Sequence, residues 1–217
     1  MKISVSMENY LKCIYNLYVQ NDIILLTDLA DYMNVKAPSV NSMIKKLAKN
    51  GWVKYEPYKP IKITVSGKRR AAEIIRKHRL TEMFLCEMLE FRWDEVHHIA
   101  EQIEHINAPE FFERIDMLLG YPKSDPHGSP IPDKYGAITA QAYKRLSDCA
   151  IGELVTLKAL NRSDESLLKL LTNKNIHLGC TLTVKEIEQY DGSITLKLSD
   201  KVYIVLSKTV CDNLMVL

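Results

Sequence analysis

The stretch from Thr27 to Thr64 constrains the fold most, because its apolar residues are spaced for two short helices followed by two short strands. The first predicted helix opens at Thr27 as its cap, and the second begins at Pro38, a residue that suits a first helical turn. Trp52–Tyr55 and Ile61–Thr64 are predicted strands around a loop with two prolines. This order predicts a winged helix-turn-helix.

The second of these helices has an apolar face and a face of small polar and basic residues. Val40, Ile44 and Leu47 share the apolar face, with Met43 beside them. Small hydroxyl and amide groups can reach base edges in DNA, whereas lysines suit phosphates. The predicted DNA-binding residues are Thr27, Lys36, Pro38, Ser39, Asn41, Ser42, Lys45, Lys46 and Lys59. The alternative is a winged helix that binds protein.

Charge is unevenly distributed along the 217-residue chain, whose net charge is only +2. Residues 1–80 contain 15 Lys and Arg against 6 Asp and Glu, residues 81–135 contain 4 against 12, and the remainder contains 10 against 9. A basic first third favours a polyanionic partner, and an acidic middle favours cations. Five of the six histidines lie in or beside that acidic middle.

The acidic middle contains a predicted helix that is capped by Asp94 and has four potential metal ligands in one sector. At roughly 100° per residue, His97, Glu101, Glu104 and His105 fall within about a 100° sector. A different face is predicted to pack into the core and consists of Val96, Ala100, Ile103 and Ile106. Imidazoles and carboxylates are suitable metal ligands, so this sector is a candidate metal site. The alternative interpretation is a solvated polar face.

The segments on either side of this helix add further donor groups. A long helix predicted from about Lys68 to Leu89 places His78 and Glu82 four residues apart on one face. The apolar positions of a helix over residues 111–119 suit a dimer interface. Four prolines within residues 121–136 indicate a stiff, extended linker, in which Asp125 and His127 taken alone would be solvated.

The last third, from about Ser147, has the alternating pattern of β-strands and an Asp191-Gly192 turn. The predicted strands include Gly152–Leu157, Gly179–Val184, Ser193–Leu198 and Lys201–Leu206, and a short helix is predicted near residues 164–171. Roughly five short strands over about 70 residues suggest a small, partly open barrel.

Several classes of protein are disfavoured by composition and motif content. No apolar run approaches the roughly 20 residues of a membrane span, and Glu8 and Lys12 interrupt the start of the chain where a signal peptide would be apolar. We therefore expect a cytoplasmic protein without a membrane partner. The five cysteines form no CxxC pair, which argues against a disulfide framework or a zinc knuckle. A metalloenzyme is disfavoured because HExxH and phosphate-loop motifs are absent, so we expect no small-molecule substrate.

Four motifs together resemble the diphtheria-toxin-repressor family of iron- and manganese-dependent repressors, in particular its long manganese-type members. They are Asn9-Tyr10-Leu11, Arg76–Glu82, Val96–His105 and Pro126-His127-Gly128. The resemblance runs from about Ser6 to Pro132 and continues more weakly to the C-terminus. It implies a mainly α fold with small β parts: a winged helix-turn-helix domain at 1–72, a helical dimerisation and metal-binding domain with a Pro-rich linker at 73–135, and an SH3-like domain at 147–217.

The resemblance also implies a homodimeric transcriptional repressor that binds two divalent ions per subunit, Mn²⁺ or Fe²⁺, and then a double-stranded DNA operator. The primary site it implies consists of Asn9, Glu101, Glu104 and His105, with His78 able to join. The ancillary site it implies consists of His78, Glu82, His97, Asp125 and His127, with a carboxylate from the third domain assigned to Asp164.

Four positions depart from the family pattern. Glu101 replaces the cysteine of iron-type members, and a hard carboxylate favours Mn²⁺ or Fe²⁺ over softer ions. Asn9 replaces an aspartate or methionine, which weakens the primary site or removes Asn9 from it. Lys12 replaces the second glutamate of the short manganese regulators, so two more widely separated sites are expected. Asp125 replaces a thiolate by an oxygen ligand. The alternative function is a winged-helix regulator or adaptor that no metal controls.

Overall fold

The computed structural model describes residues 3–21, 23–139, 141–198 and 202–217. Its first domain consists of helices α1 (Val5–Asn21), α2 (Leu26–Met33) and α3 (Ala37–Lys49), followed by strands β1 (Val53–Lys54) and β2 (Lys62–Ile63). The two strands pair antiparallel, and Ile24 forms a bridge to Ile61 beside them. Ile14, Leu29 and Leu47 are fully buried in the shared core. The predicted winged helix-turn-helix is confirmed.

The start of α2 differs from its prediction, because Thr27 lies inside the helix and Leu25 is the capping residue. The carboxylate of Asp28 accepts a hydrogen bond from the Leu25 backbone N–H at 3.4 Å, so that side chain binds a free amide at the helix start. Asn34 has a left-handed conformation (φ 52°) that ends α2 and forms the tight turn. Pro38 lies in the first turn of α3, as predicted.

Helix α4 (Val65–Leu89) packs against α1, α5 (His97–Ile103) and α6 (Pro109–Leu118). The hydroxyl group of Thr64 caps α4 by accepting a hydrogen bond from the Gly67 backbone N–H at 3.0 Å. Thr64 also donates to the carbonyl oxygen of Gly51 at 2.7 Å. The first turn of α4 is therefore bonded directly to the DNA-binding domain.

Helix α5 is shorter than predicted. It begins at His97 with Val96 as its N-cap, whereas the Asp94 carboxylate binds the Arg92 guanidinium group at 2.9 and 3.0 Å. The predicted cap at Asp94 is therefore wrong. Because α5 ends at Ile103, Ile106 does not continue its apolar face and is 44% exposed.

The proline-rich segment is not an extended linker, because arginine side chains of α4 bind its carbonyl groups. Arg76 donates to the carbonyl oxygen of Pro132 at 2.6 Å, and Arg79 donates to that of Pro130. Ile131 packs with Leu80 of α4 in a small buried cluster. The segment is thus part of the helical domain.

The third domain contains a six-stranded antiparallel sheet in the order β3-β8-β4-β5-β6-β7. Its elements are β3 (Lys144–Arg145), β4 (Leu154–Leu160), α7 (Glu165–Asn173), β5 (Thr181–Ile187), β6 (Ile194–Leu198), β7 (Val202–Leu206), α8 (Lys208–Cys211) and β8 (Leu214–Val216), with a 3₁₀ turn at Leu146–Asp148. The predicted small β domain is confirmed, although β3 and β8 were not predicted. Lys201, the predicted start of β7, lies outside the described residues.

Among the described residues, no helix is both long enough and apolar enough to cross a membrane.

Gly128 sets how closely the proline-rich segment approaches β4. It has φ +84°, and a Cβ atom there would lie 2.3 Å from the carbonyl oxygen of Lys158. We expect Gly128→Ala to lower the free energy of unfolding by about 2 kcal/mol or more, because strain adds to the clash. Gly120→Ala is the control, since φ is +70° there but no atom lies within 4 Å of the added carbon. Urea unfolding measures the free energy of unfolding of both variants, and equal decreases would contradict the prediction.

Candidate metal centre and nucleic-acid interface

A cluster of imidazole and carboxylate groups connects α4, α5 and the proline-rich segment. Its central residue is Glu82, which is 2% exposed. Oε1 of Glu82 lies 3.0 Å from His78 Nε2 and 3.3 Å from His97 Nδ1, and its Oε2 lies 3.9 Å from His127 Nδ1. We call His78, Glu82, His97, Asp125 and His127 the Glu82 cluster.

The Glu82 cluster has the spacing that a divalent ion requires. In two overlapping triples, one ligand atom from each residue lies within 4.8 Å of the others: His78, Glu82 and His97, and Glu82, Asp125 and His127. Oxygen and nitrogen ligands lie about 2.0 to 2.6 Å from such ions, so ligands on opposite sides of an ion are about 4 to 5 Å apart. The donor set therefore fits a divalent ion.

Asp125 and His127 are buried, so the view of them as solvated loop residues is wrong. One carboxylate oxygen of Asp125 accepts hydrogen bonds from the backbone N–H groups of His127 and Ser129, both at 2.9 Å. His127 Nε2 lies 2.8 Å from the carbonyl oxygen of Trp93, to which it can only donate. The Nδ1 atom of a neutral His127 is then an acceptor that faces Glu82, as a metal ligand requires.

His78 is hydrogen bonded to two buried carboxylates. Its Nδ1 atom lies 2.6 Å from Glu104 Oε2, on the opposite side of the ring from Glu82. Burial alone would lower the pKa of His78, but the hydrogen bonds to Glu104 and Glu82 raise it to about 9. Burial would likewise raise the pKa values of Glu82 and Glu104, yet their hydrogen bonds to His78 hold both below the usual range. His78 is thus a cation that compensates two carboxylates.

The residues predicted for the primary site meet only in part. Glu104 is fully buried, and its Oε1 lies 3.4 Å from His105 Nε2. The same oxygen accepts a hydrogen bond from Lys12 Nζ at 2.7 Å, whereas Glu101 is about half exposed and lies 3.5 Å from that nitrogen. Asn9 Oδ1 is buried and has no hydrogen-bond partner among the described residues. A buried oxygen without a hydrogen-bond partner has free lone pairs that can bind a metal ion.

Glu8 also belongs to this region, although it was not predicted from the sequence. Its Oε2 lies 2.7 Å from His105 Nδ1, and its Oε1 accepts a hydrogen bond from Arg70 at 2.8 Å. Glu8 thereby orients the His105 ring, with Nε2 directed at Glu104. The available signal was the four-residue spacing of Glu8 and Lys12, which places both on one face of α1.

Asp164 lies outside both triples. Its carboxylate caps α7 by accepting a hydrogen bond from the Leu167 backbone N–H at 3.1 Å. It nevertheless lines the same cleft of about 1550 Å³ as His97 and Asp125, between the helical domain and the third domain.

The exposed face of α3 contains most of the residues predicted to bind DNA. Ser39, Ser42, Lys45 and Lys46 are exposed, as are Thr27, Lys36, Pro38 and Lys59 outside the helix or at its start. Asn41 is half-buried, and its Oδ1 accepts a hydrogen bond from Tyr55 at 2.9 Å, which ties α3 to the wing. Tyr58, which was not among the predicted DNA-binding residues, is fully exposed in the wing loop beside Lys59.

Comparisons with known proteins agree with this architecture. The description "Iron dependent repressor, N-terminal DNA binding domain" matches residues 2–61, and "Iron dependent repressor, metal binding and dimerisation domain" matches residues 64–133. The FeoA domain matches residues 144–217. The class of protein is therefore a DNA-binding regulator with a metal-binding dimerisation domain.

Individual relatives make the assignment more specific. A manganese-dependent transcriptional repressor in complex with manganese has a TM-score of 0.86 and 31% identity, over 97% of this chain and 98% of that chain. ScaR with bound Cd²⁺ has a TM-score of 0.82 and 30% identity, over 97% and 98%. The iron-dependent repressor IdeR of Mycobacterium leprae is 29% identical over 58% of this chain, and the match spans only 54% of that relative. The chain belongs to the iron-dependent repressor family, as the motifs predicted.

The raised pKa of His78 predicts how the stability of the metal-free protein depends on pH. His78 is charged in both folded and unfolded chains below about pH 6.5, where its stabilising contribution is complete. Between about 6.5 and 9 only the folded chain keeps the proton, so the free energy of unfolding falls by up to about 1.4 kcal/mol per pH unit. Glu82 and Glu104 stay ionised throughout this window. Urea unfolding in the presence of a chelator measures how the free energy of unfolding changes with pH. An equal slope in His78→Gln would show that His78 is not the cause.

Proposed function

We propose that this chain is a metal-dependent transcriptional repressor in which Mn²⁺ or Fe²⁺ favours operator binding by a homodimer. The observation that supports this most is the Glu82 cluster, because it joins five nitrogen and oxygen donors beside a basic winged helix. Carboxylates and imidazoles without a thiolate favour hard and borderline ions. Operator binding would place the protein in the cytoplasm, with DNA.

We further propose two ions per subunit. The Glu82 cluster would hold one, with Asp164 as the candidate carboxylate from the third domain. Asn9, Glu101, Glu104 and His105 would hold the other, and the buried, unpaired Oδ1 of Asn9 supports this assignment. When bound, the ions supply positive charge that offsets the carboxylates on α4 and α5.

Helices α4 and α1 would transmit the effect of ion binding to the DNA-binding domain. Glu82 and His78 belong to α4, whose first turn is bonded to the wing through Thr64 and Gly51. Asn9 belongs to α1, which packs against both α3 and α4. Fixing these helices would fix the separation of two recognition helices, which must match successive major grooves about 34 Å apart. Such coupling is typically about 1 to 3 kcal/mol, or 5- to 150-fold in DNA affinity.

The homodimer has a candidate interface on the helical domain. Several apolar side chains at the end of α4 and along α6 are exposed in the single chain: Met88, Leu89, Phe111, Met117 and Leu118. Large apolar side chains that are exposed in a single chain are available for a protein interface. This surface agrees with the dimer interface predicted for residues 111–119.

Glu82→Gln tests the metal switch. We expect the variant to lose Mn²⁺ binding at the Glu82 cluster, because a neutral amide replaces the carboxylate that all other cluster residues face. Calorimetry measures the affinity for Mn²⁺. Fluorescence anisotropy measures the affinity for DNA, with a duplex that the Mn²⁺-loaded protein has selected from a random pool. The 5- to 150-fold gain from Mn²⁺ should shrink in the variant.

Glu87→Gln is the matched control, since Glu87 is an exposed carboxylate on the same helix. It should behave like the wild type. If the wild type binds neither Mn²⁺ nor Fe²⁺ in the micromolar range, or binds DNA equally with and without the ion, the chain is a regulator that metal does not control.

Lys45 and Ser42 test the recognition face of α3. Lys45→Ala should weaken binding to all duplexes alike and reduce the salt slope by about 1, because its ammonium group would contact a phosphate. Ser42→Ala should change sequence preference, because its hydroxyl group would face base edges. Lys197→Ala in the third domain is the charge control. The opposite pattern for Lys45 and Ser42 would mean that another face reads the DNA.

A further inference from the structure

Lys12 places an ammonium group among the residues proposed for the primary site. Its Nζ atom donates to Oε1 of Glu104 at 2.7 Å and lies 3.5 Å from Oε1 of Glu101. The side chain of Lys12 is 13% exposed, and that of Glu104 is fully buried. The ion pair joins α1 to the end of α5, as an ion in that site would.

The ammonium group binds the oxygen atom that the ion would need. Glu104 Oε1 also lies 3.4 Å from His105 Nε2, so an ion that binds both groups would use this oxygen. An oxygen ligand lies about 2.0 to 2.3 Å from Mn²⁺-sized ions. A divalent ion at that distance would lie within a few ångströms of Lys12 Nζ, where two positive charges repel strongly. The ion and the ammonium group therefore exclude each other.

Asn9 lies close to Lys12 along α1 and shares a cleft with two of the other proposed donors. Asn9 is three residues before Lys12 on α1, so both lie on one face of that helix. With Glu101 and His105 it lines a cleft of about 510 Å³. Its buried Oδ1 is unpartnered among the described residues, whereas Lys12 already holds Glu104.

The carboxylate at the centre of the Glu82 cluster binds no lysine or arginine in the described chain. Arg79 forms an ion pair with Asp125 at the edge of the cluster, at 3.5 Å, but none with Glu82. The side chain that pairs with Glu82 is His78, whose Nε2 atom lies 3.0 Å from Glu82 Oε1 and which is itself a candidate ligand. The two sites therefore differ in what must leave before an ion binds.

We propose that Lys12 is a built-in cation that occupies the primary site, so that the first ion binds at the Glu82 cluster and the second binds only after the ammonium group leaves Glu104. This inference rests on the proposed function, because it presumes that the chain binds divalent ions. It makes the primary site respond at a higher ion concentration than the Glu82 cluster.

Calorimetric titration of the full chain with Mn²⁺ tests the order of binding, and electron paramagnetic resonance counts the bound ions. The wild type should bind one ion tightly and a second at least about 10-fold more weakly. Lys12→Met keeps the length of the side chain and removes its charge, so it should tighten the second ion by about 10-fold or more and leave the first unchanged. Lys12→Arg keeps the charge and should resemble the wild type.

Lys68→Met is the matched control, because Lys68 Nζ lies 3.7 Å from the Tyr18 ring centroid and forms no ion pair in the described structure. It should leave both affinities unchanged. The double variant Glu82→Gln with Lys12→Met isolates the primary site, which should bind Mn²⁺ about 10-fold more tightly than in Glu82→Gln alone. Near-ultraviolet circular dichroism checks folding, and Lys12→Gln replaces Lys12→Met if that variant is misfolded.

Two results would overturn the inference: equal affinities for both ions in the wild type, or a second-ion affinity that Lys12→Met leaves unchanged or weakens. If wild type and Lys12→Met both bind no Mn²⁺, the proposed function fails as well. If both bind Mn²⁺ identically, the proposed function stands and only the role of Lys12 is refuted.

Discussion

A single imidazole held between two buried carboxylates connects the parts of the helical domain. His78 on α4 binds Glu104 after α5 through one ring nitrogen and Glu82 through the other. Removing either carboxylate would leave a buried charge without its partner, which is costly. Because α4 also begins at the wing, the same helix connects this buried network to the DNA-binding domain.

The fold was largely predictable because it depends on local patterns. The helical spacing around α3 and the strand pairs near residue 191 have strong periodic signals, and the structure agrees with them. Strands β3 and β8 have two and three residues, too few for an alternating pattern. Asp94 was misassigned as a cap because Arg92, two residues away, binds its carboxylate.

The candidate site was only partly predictable, since it depends on contacts between distant segments. Family motifs predicted Glu82, Asp125 and His127 as ligands, and the structure brings the three together. The composition of the proline-rich segment alone had predicted that Asp125 and His127 are solvated. Lys12 was recognised as a departure from the family pattern, but its ion pair with Glu104 spans 92 positions in sequence. Glu8 was missed because its spacing to Lys12 indicates only a shared face of α1, whereas its contact with His105 spans 97 positions in sequence.

The turn formed by Asp125, His127 and Gly128 belongs to two domains at once. Its side chains face Glu82, while the carbonyl oxygen of His127 accepts a hydrogen bond from the Leu160 backbone N–H of β4 at 2.9 Å. The third domain thereby fixes the backbone from which two donors of the Glu82 cluster project. Ordering of this cluster and docking of the third domain are consequently coupled, so a chain shortened before β4 would lose one support of the donor geometry even though it retained these five residues.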